Sequence, residues 1–385
     1  MADTPMPEDY DFDAALMHQD RICEIKLQYL TSSQLQRLAS AIREQLPALT
    51  HLVLDFDGDY RRPAPALPSG FLGGSAPRLQ LLTFHSIPFP ALPKLLLSAT
   101  DLVHLGLWSI PHSGYLSPEA IVTGLSVLAN LRILTIGFES PLSCPNRKRH
   151  RPPPPSRAIL PALTRFEFYG VNEYLEDLIA RIDAPLLDSI WITFFHQLIF
   201  DTPQLAQFMR RTTRFQTLNE AHVDFDHFGG QVESHPPTRS LDEKSRLRIS
   251  CRELDWQLSS LAQVYTSFFP SIHMVEHLYI YGPQILPSQW RHDIENVQWL
   301  EILHPFTSIK NLYVSKNFAQ CFARTLQELA GQRRTDVLPA LESLFVEELQ
   351  QSGSVQKSIG KFFAARQFLG QPVTVSQWNK TREAL

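Results

Sequence analysis

Leu102-Val103-His104-Leu105-Gly106-Leu107 sets three leucines at the spacing apolar-x-x-apolar-x-apolar. The spacing returns along the chain. Before this copy come Leu49-x-x-Leu52-x-Leu54 and Leu79-x-x-Leu82-x-Phe84. After it come Leu131-x-x-Leu134-x-Ile136, Leu163-x-x-Phe166-x-Phe168 and Leu187-x-x-Ile190-x-Ile192. The far half supplies Val275-x-x-Leu278-x-Ile280, Ile309-x-x-Leu312-x-Val314 and Leu341-x-x-Leu344-x-Val346. Ile22-x-x-Ile25-x-Leu27 fits as a first copy.

The central residues fall at 25, 52, 82, 105, 134, 166 and 190, then at 278, 312 and 344. Steps of 23 to 34 residues separate neighbours within each group. The gap from 190 to 278 has room for two more, and degenerate copies stand there, Leu218-x-x-Ala221-x-Val223 and Leu247-x-Ile249. About twelve copies at a near-constant step predict an α/β leucine-rich-repeat solenoid. The expected form is a horseshoe of the ribonuclease-inhibitor kind, with parallel strands inside and helices outside. One repeat domain over 21–385 is expected, behind an acidic flexible N-terminus at 1–20. Loop insertions are expected near 141–158 and 229–245, where Arg147 to Arg157 carries four prolines in a basic run and Gly230 to Glu243 is polar.

Helical stretches alternate with the strands. Thr31-Ser32 opens one through Leu35, Leu38, Ile42 and Leu46. Ser117-Pro118-Glu119 opens another, to about Leu128, and Thr202-Pro203 repeats the cap-and-proline device before Leu205. Asn172 to Ile182, Leu254 to Phe268, Ser288 to Leu303, Asn317 to Leu329 and Ser354 to Phe368 complete the set, with Val373 to Val375 as a last edge strand. Helical crossovers return the chain to the same sheet edge, so the strands should be parallel.

The formal net charge of −4 gives no basic field for nucleic acid. No apolar run is long enough for a membrane span, and the acidic start is not a signal peptide. Cys23, Cys144, Cys251 and Cys321 are far apart with no C-x-x-C pair, which reads as reduced thiols in the cytoplasm or nucleus. No cofactor is expected.

The chain resembles the leucine-rich-repeat region of the F-box proteins of mushroom-forming fungi. The resemblance rests on the repeats, on Leu-Pro-Ala-Leu at 46–49, 160–163 and 338–341, and on Arg252-Glu253-Leu254-Asp255-Trp256 and Leu303-His304-Pro305-Phe306. It implies a substrate-recognition component related to SCF ubiquitin ligases, with Skp1 and a cullin as partners. The F-box itself is missing from the pattern, because the repeats start near Ile22 with no Leu-Pro-x-Glu helix start before them. A stand-alone repeat scaffold is the alternative.

Two clusters invite chemistry. Leu52-Val53-Leu54-Asp55-Phe56-Asp57-Gly58-Asp59 resembles the nucleophile loop of haloacid-dehalogenase-type phosphatases, which would make Asp55 the nucleophile, Asp57 the acid/base and Mg²⁺ the charge shield. It departs at Asp59, where that family has threonine, and its leucines already serve the repeat. His222, Asp224 and Asp226 fall on one strand face by alternation, with Val223 and Phe225 on the other. Neither cluster leads us to expect an enzyme or a metal site.

The concave face is the expected binding surface, for a protein or peptide. Residues alternating with the buried positions should point there. They include Trp108, Arg165, Tyr169, Trp191, Tyr279, Tyr281, Tyr313 and Phe345. Tryptophan, tyrosine and arginine dominate interface energetics.

Overall fold

The computed structural model describes residues 19–57, 64–144, 156–197, 199–212, 215, 218–235, 245–251, 254–283, 296–319, 322, 325–326, 337–347 and 354–378. The proline-rich basic run lies outside them up to residue 155, as do Gly58, Asp59 and most of 317–329. Two compact units divide the chain. The first is Met1–Gly170 with Asp177–Leu186, and the second is Val171–Glu176 with Leu187–Leu385. Both are α/β.

In the first unit the repeat leucines make strands. These are β1 (Glu24–Leu30), β2 (His51–Phe56), β3 (Leu81–His85), β4 (His104–Ile110), β5 (Ile133–Phe138) and β7 (Arg165–Gly170). A two-residue pair, β6 (Ala158–Ile159) and β8 (Ile182–Asp183), stands apart from them. The six longer strands run parallel in sequence order. Their register aligns Ile25, Leu52, Leu82, Leu105, Leu134 and Phe166 side by side. All but the edge residue Ile25 are fully buried. Each contributes roughly 1.5–3 kcal/mol of transfer free energy.

The helices here are short. Ser32–Ala41 ends earlier than the sequence suggested, and Pro118–Leu125 stops before Leu128. Their starts follow the expected chemistry. Thr31 and Gln34 form a reciprocal capping box, and the Ala120 N–H donates to Ser117 Oγ at 3.2 Å. Tyr29, Ser86 and Ser109 take left-handed backbone two residues past Leu27, Phe84 and Leu107. That twist drops the next residue, Leu30, Ile87 or Ile110, into the core.

The second unit keeps the repeat but interrupts it. Its strands are β9 (Ser189–Phe195), β10 (Glu220–Phe225), β11 (Gly229–His235), β12 (Ser245–Ser250), β13 (His277–Tyr281), β14 (Asn311–Val314), β15 (Ser343–Glu347) and β16 (Thr374–Trp378). They lie in the order β9-β12-β11-β10-β13-β14-β15-β16. The sequence reading of Gly230 to Glu243 as a loop is corrected at its first half. Gly229–His235 is a full strand, antiparallel to both neighbours, in a sheet whose other pairs are parallel. Residues 236–244 lie outside the described residues.

Small residues explain why this stretch hid. The buried row that runs through Ile190, Leu278, Leu312 and Leu344 crosses the inserted strands at Ser245, Ser234 and Ala221. All three are buried, and they reduce the repeat here to the degenerate copies on β10 and β12 and leave none on β11. A Cβ on Gly229 would run into the Ile249 carbonyl oxygen, so only glycine fits that turn.

Helices Pro203–Arg211, Leu254–Phe268, Asn296–Leu303 and Ser354–Phe368 accompany these strands. Thr202 makes no side-chain cap for the first of them. The buried Glu176 carboxylate does so instead, accepting from the Gln204 and Leu205 N–H groups at 2.7 Å each. A negative charge there also suits the positive helix end.

Candidate functional site

In the second unit the strand face away from the helices carries one continuous row of planar and charged side chains. Phe225, on the opposite face of β10, packs edge-on against Trp299 of helix Asn296–Leu303 and against Phe318. Alternation therefore turns His222 and Asp224 the other way. Register then aligns Trp191, Arg246, Glu233, His222, Tyr279, Tyr313 and Phe345, one from each of seven adjacent strands.

The spacing of parallel strands sets the stacking. Strands about 4.8 Å apart hold equivalent rings at nearly that separation. His222 and Tyr279 stack at 4.5 Å, Tyr279 and Tyr313 at 4.2 Å, and Tyr313 and Phe345 at 4.5 Å. Interplanar angles of 17°, 9° and 9° make this a stack of near-parallel rings. Each such pair adds about 0.5–1.5 kcal/mol beyond area burial.

The polar end of the row is also joined. The Arg246 guanidinium sits 4.8 Å above the Trp191 ring and pairs with Glu233 at 2.5 Å. His222 Nε2 meets Glu220 at 2.5 Å. Tyr281 lies 6.2 Å from Tyr279, with planes 10° apart. Trp378, on the last strand, reaches back over the stack. Its ring lies 6.0 Å from Tyr279, 5.8 Å from Tyr281 and 5.5 Å from Tyr313.

Five of the eight residues singled out from sequence thus fall on this surface: Trp191, Tyr279, Tyr281, Tyr313 and Phe345. Tyr313 is buried by its neighbours, 8% exposed, so it supports the surface more than it presents one. Trp108, Arg165 and Tyr169 belong to the first unit. Trp108 is 39% exposed and pairs in register with His85. Arg165 forms an ion pair with Glu167 at 2.5 Å, and Tyr169 stands opposite Gly137. The central row of this face carries no ring: it reads Lys26, Val53, Thr83, Gly106, Thr135 and Glu167. Burial pushes the pKa of His104 down; the nearby Glu167 opposes this and Arg165 adds to it.

Sequence reasoning missed Arg246, Glu233 and Trp378; it placed His222 on a polar strand face without seeing that it stacks on Tyr279. The alternation Arg246-x-Arg248 beside Leu247-x-Ile249 was a usable signal for the first. The end of the sheet lay further on than Val373–Val375, which left Trp378 out.

The two chemical lures are engaged otherwise. Asp55 pairs with His85 at 3.0 Å, between the buried Leu54 and Phe56. Asp226 accepts from the Phe228 and Gly229 N–H groups at 2.7 and 2.8 Å and from Arg248 Nη2 at 2.9 Å. It thereby fixes the β10–β11 turn. Among the described residues no three His, Cys, Asp or Glu side chains group to hold a metal ion. Among the described residues Cys23, Cys144 and Cys251 are joined in no disulfide. Among the described residues no helix is long and apolar enough to cross a membrane.

No family model matches the chain, and no curated protein matches it in sequence. Among solved structures it is similar to the leucine-rich repeat-containing protein LegL7 from Legionella pneumophila, at 11% identity and a TM-score of 0.35. That similarity covers 88% of this chain and 97% of the other.

Proposed function

We propose that this protein is an interaction module of the leucine-rich-repeat solenoid kind, and that an extended partner segment lies across the open strand face of the second unit. The observation that carries this reading is the row from Trp191 to Phe345. It offers planar rings and a fixed guanidinium of the types that anchor interfaces. The repeats support the solenoid. We place the module among substrate-recognition components related to SCF ubiquitin ligases, on the strength of the F-box resemblance, with the cytoplasm or nucleus as its compartment. A free-standing scaffold is the alternative. Catalysis belongs to the partners in either case, and a phosphatase assay with Mg²⁺ on wild type and Asp55→Asn should find no activity to lose.

Affinity purification of the tagged protein from its own cells tests the reading. Skp1 and a cullin in the eluate would make it a ligase receptor. Another protein held in a Trp191-dependent manner would make it a scaffold. An eluate unchanged by Trp191→Ala and by Tyr279→Ala would remove the open face from the binding.

A further inference from the structure

We infer that two copies of this chain join at the free edge of β1, antiparallel about a two-fold axis at Ile25. The surface belongs to the first unit and is independent of the row of rings in the second.

Among the described residues β1 stands last in the strand order and pairs with β2 on one side only. The Thr50 and His51 N–H groups donate to the Cys23 carbonyl at 2.8 and 3.1 Å. Backbone groups alternate along a strand, so those of Cys23, Ile25 and Leu27 turn to β2 and those of Glu24 and Lys26 turn to the edge. Unpaired edge groups are a template for another strand. The apolar layer is open here too. Ile25 and Leu27 are half-buried, whereas Leu52 and Leu54, their register partners on β2, are fully buried. Stacked repeats stay soluble when the last one turns a polar face outward, and this one leaves apolar side chains half open.

Charge decides what fits this edge. Cys23-Glu24-Ile25-Lys26-Leu27 is complementary to its own reversed copy. A two-fold at Ile25 sets Glu24 opposite the partner's Lys26, and Lys26 opposite the partner's Glu24. Both side chains are exposed, and alternation puts them on one face. These two positions would exchange both backbone hydrogen bonds, as directly opposed residues of an antiparallel pair do. Ile25 then meets the partner's Ile25, with Cα atoms about 4.5 Å apart, and Leu27 meets the partner's exposed Cys23. A lysine on an edge strand ordinarily keeps other chains away. Two residues from a glutamate, it instead selects its own copy reversed, because opposite charges then face each other twice. An axis at Lys26 would set lysine against lysine, so the charges also fix the register. Such a contact uses the same patch on both copies and closes at two.

Sedimentation velocity on the full chain, at concentrations up to about 0.1 mM, tests this. Wild type should pass from monomer to dimer as concentration rises. Lys26→Glu and Glu24→Lys each set like charges opposite one another twice, and each should weaken the dimer at least about tenfold. Both changes in one chain should restore it, and a one-to-one mixture of the two single variants should give a mixed dimer. A variant that merely failed to fold could give neither recovery. Oxidation of Cys23→Ser/Ile25→Cys should link two chains through position 25, because facing Cα atoms about 4.5 Å apart suit a disulfide, while Cys23→Ser alone should stay unlinked. The inference is overturned by a wild type that stays monomeric, by single variants that dimerise as well as wild type, by a double variant that does not recover, or by a Cys23→Ser/Ile25→Cys chain that stays unlinked.

Discussion

The two units have interiors of the same kind and two different faces. In the first, the row next to the buried leucines runs through Val53, Thr83, Gly106 and Thr135, side chains too short to touch across the strand spacing as stacked rings do. In the second, the same kind of row holds Arg246 against Trp191 and Glu233, and then His222, Tyr279, Tyr313 and Phe345, each of these four rings packed on the next. Buried positions vary little between units, since they must fill a constant gap between sheet and helices. Alternate positions are under no such demand. What the protein does therefore has to be sought in those positions, not in the leucines that make it fold.

The largest way to break the comparison is through the buried leucines of each unit. Leu105→Asp in the first unit and Leu278→Asp in the second each bury an unpaired carboxylate at a fully buried site. Each should cost more than about 4 kcal/mol and abolish cooperative unfolding of its unit in urea. The faces should then separate. Tyr313→Ala removes the centre of the stack and should cost about 3 kcal/mol. Thr135→Ala, on the row of the first unit, loses one 3.3 Å hydrogen bond to Glu167 and should cost about 1 kcal/mol. Equal costs in chemical denaturation would show that the stack adds nothing to ordinary packing.

A smaller effect concerns pH. Desolvation depresses the pKa of His104 in the first unit and of His196 in the second, where His196 stacks on Trp256 at 4.5 Å. The unfolded chain then binds more protons than the folded one as pH falls below about 6.5, so stability drops in that window and is fully present above it. Melting temperature should fall from pH 7 to pH 5. His104→Gln and His196→Gln should each flatten the fall in one unit only. The smallest expected effect is Trp108→Ala, because its exposed ring has no stacked neighbour to lose within the row; it should shift stability by less than about 1 kcal/mol.

The strands were legible because Leu52, Leu82, Leu105, Leu134 and Phe166 recur at near-constant steps and lie side by side. Where buried leucine gave way to Ser234, Ser245 and Ala221, the signal weakened to two degenerate copies, at β10 and β12, and was lost at β11 although the sheet continued. A small buried serine and a surface serine look alike in sequence. The left-handed residues Tyr29, Ser86 and Ser109 were also invisible, since neither tyrosine nor serine announces that backbone. Of the candidate site, alternation placed Tyr279, Tyr281, Tyr313 and Phe345 on a single face. It could not show that Arg246 and Trp378 join them, because strand order in the insertion departs from chain order. Glu176 capping a helix 28 residues away is likewise a tertiary fact.

That departure bears on how the chain folds. A simple stack of repeats can grow from any neighbour, each new strand closing a loop of about one repeat. The partner of β9 within its unit is β12, which pairs Ser245 with Ile190, fifty-five residues away along the chain. The edge of β9 thus stays open until two hairpins have formed and turned the chain back upon it. We expect assembly of the second unit to be slower than that of the first, in keeping with the cost of long-range strand pairing. During that interval the bare edge of β9, with Trp191, Phe194 and Phe195 along it, is where a nascent chain is most open to pairing with another copy.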